Sequence, residues 1–171
     1  MNKIGVAGSG RWAKVLISIL NSILPEEDKI IIFSSRGSET ISNWIMSNNL
    51  ENRTTSVDKY KNIQNANLSA LVIANAAKDH FMIAKLGIMS RIPVIVEKPL
   101  TTAHKTSIEL IDLANKNNVT LASSQIFLFA EYLNNFKKLI ESDENISNIN
   151  FTWEDASEET RYGEIKTYDS G

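Results

Sequence analysis

The chain has 171 residues, of which 43% are hydrophobic, so it can form one domain with a buried core, or one domain and part of a second. Its 18 Lys and Arg residues against 20 Asp and Glu residues give a formal net charge of -2, which argues against a nucleic-acid-binding surface. There is no cysteine, which excludes disulfides and thiolate metal sites.

The N-terminal Met1-Asn2-Lys3 leads directly into an apolar run, which leaves no room for a signal peptide. No apolar run is long enough to span a bilayer. We therefore expect a cytoplasmic protein with neither nucleic-acid nor membrane partners. The two histidines and the scattered carboxylates show no metal-ligand spacing, so we predict no metal site.

The first apolar run leads into the turn Gly8-Ser9-Gly10-Arg11-Trp12-Ala13, and an amphipathic segment follows. This order is typical of the strand, glycine turn and helix of a dinucleotide-binding site, although ordinary glycine turns share the pattern. Gly8 permits the tight turn, Gly10 lets the backbone approach a pyrophosphate, and Ala13 lets the helix pack close to the strand. The helix N-terminus would offer free N–H groups to the phosphates.

Helical spacing after the turn predicts one broad apolar face that ends before Pro25. Its predicted inward residues are Trp12, Val15, Leu16, Ile19, Leu20 and Ile23. Apolar runs predict further strands at 30–33, 54–57, 68–74, 93–96 and 119–122. Between them we predict a helix after Ser38, a short helix over 58–65, a helix to about Met89, and a helix from a Thr101 or Thr102 cap to about Asn117.

Six strands alternating with helices predict an α/β fold, a Rossmann-like doubly wound parallel sheet with right-handed crossovers. After residue 124 the pattern changes to an amphipathic helix over 132–140 and a polar loop over 142–148. Ile149, Phe151 and Trp153 then alternate with polar residues, which predicts a half-buried strand. We therefore predict a dinucleotide-binding domain at 1–124 and the start of a second, incomplete domain at 125–171.

Four polar or glycine-containing stretches follow predicted strands, at 8–13, 34–36, 75–80 and 97–99. Ligands of such sheets bind beyond the carboxyl ends of the strands, so we expect these stretches to form one site. The acidic residue that binds the adenosine ribose in many such folds is absent after the second strand, where Ser34, Ser35 and Arg36 stand instead. These groups suit a 2′-phosphate and favour NADP over NAD, and argue against a methyltransferase; the alternative is a solvated turn with a surface Arg.

Glu97 and Lys98 place opposite charges at this edge, where Lys98 could donate to a substrate hydroxyl or carbonyl. The alternative is a surface ion pair. Asn75 could hydrogen-bond a ribose or fix its own loop. His80, at the start of a helix, is by its position more often a packing or loop-fixing residue than a catalyst.

With these residues assembled, the sequence resembles the Gfo/Idh/MocA oxidoreductases, the glucose-fructose oxidoreductase and inositol dehydrogenase family. The resemblance rests on the glycine turn, on Ile73-Ala74-Asn75-Ala76-Ala77 with His80, and above all on Val96-Glu97-Lys98-Pro99-Leu100-Thr101. It implies a Rossmann domain followed by an α+β domain with an open sheet. It also implies hydride transfer between NAD(P) and a carbinol or carbonyl carbon of a sugar, cyclitol or nucleotide-sugar, by a protein that is a homo-oligomer when complete.

By this resemblance, Lys98 would orient the substrate and assist proton movement, and Glu97 would help to shape the site. Asn75 would line the nicotinamide ribose region, with Ala76 and His80 in the same cofactor-binding loop. Two departures from the family stand out. Ala76 replaces a frequent Pro, and Leu128-Phe129-Ala130-Glu131 replaces a frequent Arg-Phe-x-Pro stretch, which puts substrate contacts there in doubt.

In the family, a stretch like Tyr168-Asp169-Ser170-Gly171 precedes an Asp-x-x-x-His motif whose His is the usual proton donor or acceptor. The chain ends before such a motif, so we expect a truncated, catalytically incomplete fragment that binds cofactor weakly and turns over nothing. A non-catalytic dinucleotide-binding or regulatory module is the alternative.

Overall fold

The computed structural model describes residues 1–35, 38–142, 146–150, 152, 160–161 and 164–165. The chain divides into two compact units, Met1–Ser124 and Gln125–Gly171.

The first unit is built on a six-stranded sheet. Its strands are β1 (Lys3–Ala7), β2 (Lys29–Ser34), β3 (Thr54–Asp58), β4 (Ala70–Ile73), β5 (Val94–Val96) and β6 (Leu121–Ser123). All neighbours pair in parallel, in the order β3-β2-β1-β4-β5-β6. The predicted Rossmann-like doubly wound sheet is therefore confirmed, and its strand order reverses direction between β1 and β4.

In the part of this unit that the structure describes, four α-helices connect these strands: α1 (Arg11–Ile23), α2 (Ser38–Ser47), α3 (His80–Met89) and α4 (His104–Asn117). The short helix predicted over 58–65 is a 3₁₀ helix at Tyr60–Asn65, and another 3₁₀ turn at Ala77–Asp79 precedes α3. The connection from β3 to β4 thus has no long helix.

Buried side chains cover both faces of the sheet, because successive residues of a strand point to opposite sides. On β2, Ile30 and Ile32 pack with residues of α1 and α2, whereas Phe33 packs with residues of α3 and α4. Along β1, Val6 and Ala7 divide in the same way. This double coverage explains why the strands are continuous apolar runs.

The buried face of α1 differs from the predicted one. Ala13 and Ile17 are fully buried, and Leu16 and Leu20 pack against the same cluster. The other four predicted inward residues are exposed: Trp12, Val15, Ile19 and Ile23. The helix carries more apolar residues than one face can hold, so their spacing alone does not identify the stripe that meets the sheet.

The start of α4 also corrects a prediction, because neither Thr101 nor Thr102 is its N-cap. That position is Ala103, which makes no side-chain cap hydrogen bond. The buried Thr101 hydroxyl instead donates to the Ala103 carbonyl at 2.8 Å and lies 2.8 Å from the hydroxyl of Ser107. Thr101 therefore ties the chain before α4 to the first turn of the helix.

The described part of the second unit contains α5 (Glu131–Glu141) and an antiparallel pair, β7 (Thr160–Arg161) with β8 (Glu164–Ile165). The amphipathic helix predicted over 132–140 is thus confirmed. Ile149 lies outside any strand, and Phe151 and Trp153 of the predicted strand lie outside the described residues. No helix in the described ranges is long and apolar enough to cross a membrane.

At the edge where the strands of the first unit begin, Asp28 ties the start of β2 to the N-terminal segment. Its buried carboxylate accepts hydrogen bonds from the Asn2 backbone N–H at 2.6 Å and from Asn2 Nδ2 at 3.2 Å. These bonds, the backbone one foremost, lower the pKa of the Asp28 carboxyl below its usual range. Because the native pKa is depressed, ionised Asp28 stabilises the fold above about pH 4, and this stabilisation is lost as the pH falls further.

Asp28→Asn should therefore remove part of the acid sensitivity of the fold. Between about pH 5 and about pH 3, urea denaturation should show a steeper fall of the free energy of unfolding for the wild type than for the variant. Asp112→Asn, at an exposed position of α4, is the matched control and should keep the wild-type slope. Parallel curves for the wild type and Asp28→Asn would contradict this role.

Candidate dinucleotide-binding site

The carboxyl ends of four neighbouring strands are joined by backbone hydrogen bonds that continue past the strands. Gly8 N–H donates to the Phe33 carbonyl, Ala74 N–H to that of Ala7, and Glu97 N–H to that of Ile73, each at 2.9 Å. The stretches that begin at Gly8, Ala74 and Glu97 are therefore fixed side by side. This is the edge at which parallel sheets of this kind bind ligands.

Gly8 and Gly10 form the turn between β1 and α1, and each needs to be glycine for a different reason. Gly8 has a φ of +135°, and a Cβ there would lie 2.9 Å from the Ala74 carbonyl oxygen. Gly10 has an ordinary φ of -76°, and a Cβ there would meet nothing within 4 Å. The space beside Gly10 is therefore open, as the close approach of a pyrophosphate requires.

The first turn of α1 faces this open space. Gly10 is the N-cap and makes no side-chain cap hydrogen bond, and the turn has no acidic residue. The N-terminal N–H groups and the positive end of the helix dipole therefore favour an anion. Ala13 is fully buried, so the helix lies close to the sheet, while Arg11 and Trp12 are exposed at the turn.

A hydrogen bond between hydroxyls joins the glycine turn to the end of β2. Ser9 Oγ and Ser34 Oγ lie 3.0 Å apart, and Ser34 is only 3% exposed. Ser35 is exposed, and Arg36 lies outside the described residues. Of the two predicted serine contacts, Ser34 thus reinforces the turn, and Ser35 has the accessible side chain.

The structure places an acidic residue, Asp58, next to the end of β2. Asp58 is the last residue of β3, and its Cα pairs in register with that of Ser34. It is exposed, and it lies on the α2 side of the sheet, because Ser56 two residues earlier hydrogen-bonds Ser42 of α2 at 2.6 Å. Sequence reasoning missed Asp58 because it considered only the end of β2, and strand register is not visible along the chain.

Asn75 presents a buried carboxamide at the end of β4. Neither its Nδ2 nor its Oδ1 has a hydrogen-bond partner within the described part of the chain. Leaving such a group unpaired costs free energy, so the amide is suited to a ligand hydroxyl or a bridging water. The next residue, Ala76, is exposed. The unpaired amide fits a cofactor ribose at this position.

His80 is the first residue of α3, and its ring does not face the open edge. It is 1% exposed, with Nδ1 at 2.8 Å from the Pro99 carbonyl oxygen and Nε2 at 3.1 Å from that of Asn75. Both ring nitrogens are therefore occupied by backbone. This geometry favours the loop-fixing role over direct contact with a cofactor.

Lys98 and Glu97 follow β5, as predicted, but they do not pair with each other. The half-buried Glu97 carboxylate accepts a hydrogen bond from the Lys98 backbone N–H at 3.3 Å. The Lys98 side chain is exposed, and its amine forms no ion pair with any residue that the structure describes. The Lys98 amine is thus available to a ligand.

No cluster of three or more His, Asp or Glu side chains suited to a metal ion occurs within the described ranges. The open turn, the uncapped helix and the unpaired Asn75 amide at the switch between β1 and β4 fit a dinucleotide. They define the class of this unit as a dinucleotide-binding Rossmann domain.

The model of the GFO_IDH_MocA family, described as an oxidoreductase family with an NAD-binding Rossmann fold, matches residues 2–125. The chain therefore belongs to the Gfo/Idh/MocA oxidoreductases, which confirms the family predicted from the sequence. A comparison with curated protein sequences found no significant match.

Similar solved structures include scyllo-inositol dehydrogenase from Lactobacillus casei with bound NAD(H) and scyllo-inositol (TM-score 0.71, 16% identity, 83% of this chain and 41% of that chain). Biliverdin reductase from Synechocystis sp., in complex with biliverdin and NADP+, has a TM-score of 0.67 at 15% identity over 81% of this chain and 42% of that chain. UDP-N-acetylglucosamine 3-dehydrogenase from Acidithiobacillus ferrooxidans has a TM-score of 0.67 at 18% identity, over 81% and 43% respectively. At these identities the likeness shows the fold, and the chain spans about two fifths of the length of these proteins.

The two glycines of the turn should separate binding from folding. Gly10→Ala places a methyl group in open space, so the free energy of unfolding should change by less than about 1 kcal/mol. The same methyl group obstructs the approach of a pyrophosphate, and we expect the affinity for NADPH or NADH to fall about tenfold or more. Denaturation and isothermal titration calorimetry measure the two effects.

Gly8→Ala is the control with the opposite expectation, since its Cβ meets the Ala74 backbone at a positive φ. It should lower the free energy of unfolding by about 1–3 kcal/mol. A Gly10→Ala protein that binds both nucleotides as the wild type does would show that the phosphates do not lie beside this residue.

Proposed function

We propose that this chain binds a nicotinamide dinucleotide along the carboxyl edge of its sheet, as the cofactor-binding part of an oxidoreductase. The observation that carries the proposal is the open space beside Gly10 at the uncapped N-terminus of α1. The pyrophosphate would be held there by backbone N–H groups. The adenosine half would extend towards the ends of β2 and β3, and the nicotinamide half towards Asn75 and the 97–99 loop.

The reaction proposed for the whole protein is hydride transfer at a secondary carbinol or carbonyl carbon of a sugar, cyclitol or nucleotide-sugar. The nicotinamide ring supplies the hydride acceptor or donor when it is bound. Family membership supports the reaction class, and two of the similar structures are dehydrogenases named for a cyclitol and a nucleotide-sugar. Biliverdin reductase has the same fold with a different substrate, so the fold alone does not select the substrate.

In this proposal, Lys98 orients the substrate and assists proton movement. Its exposed amine follows β5 directly and is free of ion pairs within the described ranges, so it can donate to a substrate hydroxyl or carbonyl oxygen. Glu97 supports it, because its carboxylate accepts the Lys98 backbone N–H and thereby restrains the residue. Both roles are supported by position and chemistry.

For the adenosine half we propose a preference for NADP. Ser35 and Arg36 follow β2, and a hydroxyl with a guanidinium suits a 2′-phosphate. Asp58 supports the opposite choice, because an exposed carboxylate beside Ser34 could accept a ribose hydroxyl of NAD and would repel a phosphate. Arg36 and Asp58 thus have opposite effects on the preference between NADP and NAD, and single substitutions can separate these effects.

Isothermal titration calorimetry with NADPH and NADH tests both the binding of a dinucleotide and the preference for NADP. The wild type should bind NADPH more tightly. Arg36→Ala should weaken NADPH binding by about 1–3 kcal/mol with little change for NADH, and Asp58→Asn should strengthen NADPH binding, since a repulsive charge is removed.

No binding of either nucleotide at about millimolar concentration, about 4 kcal/mol of affinity, would overturn the proposed function. Tighter binding of NADH, weakened by Asp58→Asn and unaffected by Arg36→Ala, would instead assign NAD as the cofactor.

A further inference from the structure

The ring of His80 connects the two loops that carry Asn75 and Lys98. From the start of α3 it reaches the Asn75 carbonyl with Nε2 and the Pro99 carbonyl with Nδ1. These carbonyls belong to the residues that follow β4 and β5, neighbouring strands of the sheet. One buried side chain therefore spans the separation between the two loops.

The chemistry of this connection is specific, because both partners are acceptors. A carbonyl oxygen can only accept, so each contact requires an N–H on the ring nitrogen that faces it. Neutral imidazole carries one N–H and satisfies one carbonyl, and the imidazolium satisfies both. An apolar ring of similar size would fill the same space without a donor and would leave both carbonyls without this partner.

We propose that His80 is a positioning residue for the nicotinamide half of the cofactor. It holds the Asn75 carboxamide and the Lys98 amine in register across the two loops, without touching the cofactor itself. This inference rests on the proposed dinucleotide function. It adds that different residues position the two halves of the cofactor.

The contacts of His80 explain why it would affect only the nicotinamide half of the site. The pyrophosphate end is formed by Gly8, Gly10 and the first turn of α1, and it is tied to β2 by the Ser9–Ser34 hydrogen bond. His80 makes none of these contacts; among the described residues, its ring bonds go only to the carbonyls after β4 and β5. Loss of the ring donors should therefore weaken the binding of the nicotinamide half and leave the binding of the adenosine diphosphate half unchanged.

The test compares whole dinucleotides with fragments that lack nicotinamide, by isothermal titration calorimetry on the full chain. The ligand pairs are NADPH with 2′-phospho-ADP-ribose, and NADH with ADP-ribose. His80→Phe should weaken the dinucleotide about tenfold and change the affinity of its fragment by less than about twofold. Thermal denaturation of each variant checks that it is folded.

Two conservative variants test the donors one at a time. His80→Asn can keep an N–H near the Nδ1 position, towards Pro99, and His80→Gln can keep one near Nε2, towards Asn75. Each should recover part of the dinucleotide affinity lost in His80→Phe. His104→Phe, the same change at an exposed position, is the matched control and should bind all four ligands as the wild type does.

The possible outcomes distinguish failure of the positioning role of His80 from failure of the dinucleotide-binding function. Equal weakening of dinucleotide and fragment in His80→Phe, or no weakening of the dinucleotide, would overturn the positioning role while leaving the binding function intact. The same holds if the wild type binds the fragments as tightly as the dinucleotides, since the nicotinamide half then contributes nothing. A wild type that binds none of the four ligands would overturn the proposed function and this inference with it.

Discussion

The close approach of Gly8 to the backbone of Ala74 is the constraint on which the rest of the site depends. The Ala74 backbone N–H donates to the Ala7 carbonyl, so β1 and β4 stay paired up to the point where their chains leave the sheet. This pairing leaves no room for a Cβ at Gly8, which would lie 2.9 Å from the Ala74 carbonyl oxygen. From that point one chain turns into α1 and the other continues to Asn75. The open space beside Gly10 lies at this switch between the two halves of the sheet, where the two chains separate.

The two sides of the switch between β1 and β4 are stabilised by different contacts. On the β2 side, the Ser9–Ser34 hydroxyl pair and the N-terminus of α1 lie beside the glycine turn. On the β5 side, the His80 ring contacts the Asn75 and Pro99 carbonyls. Within the described ranges, the Asn75 amide has no hydrogen-bond partner and the Lys98 amine has no ion pair. We infer that the first side supplies affinity for phosphates, whereas the second sets the geometry around the reacting carbon.

The sheet, the glycine turn and the family could be predicted from the sequence because each depends on short-range patterns. Apolar runs identify strands buried on both faces, and the turn shows its glycines directly. The prediction of the buried face of α1 was right for Leu16 and Leu20 but wrong for the other four residues, because exposed side chains such as Ile19 are as apolar as the buried Ile17. Spacing along one helix does not reveal which of two apolar stripes meets the sheet.

The other differences lie between elements that are distant in sequence. Asp58 lies beside Ser34 only through the register of β3 with β2, and the His80 ring meets the Pro99 carbonyl only because the loop after β5 lies beside the start of α3. The fold therefore follows from the local pattern, whereas the roles of individual polar side chains depend on pairings that the chain order does not show.

Backbone amide chemical shifts during a titration with NADPH test the central claim most directly, because they report where on the sheet the ligand binds. If the cofactor binds along the carboxyl edge, the amides of Gly10, Ala13 and Asn75 should shift strongly. Those of Asn2 and Ser69, near the opposite edge where the strands begin, should stay in place. Shifts concentrated at that opposite edge, or none at all, would contradict the assignment of the carboxyl edge as the cofactor site.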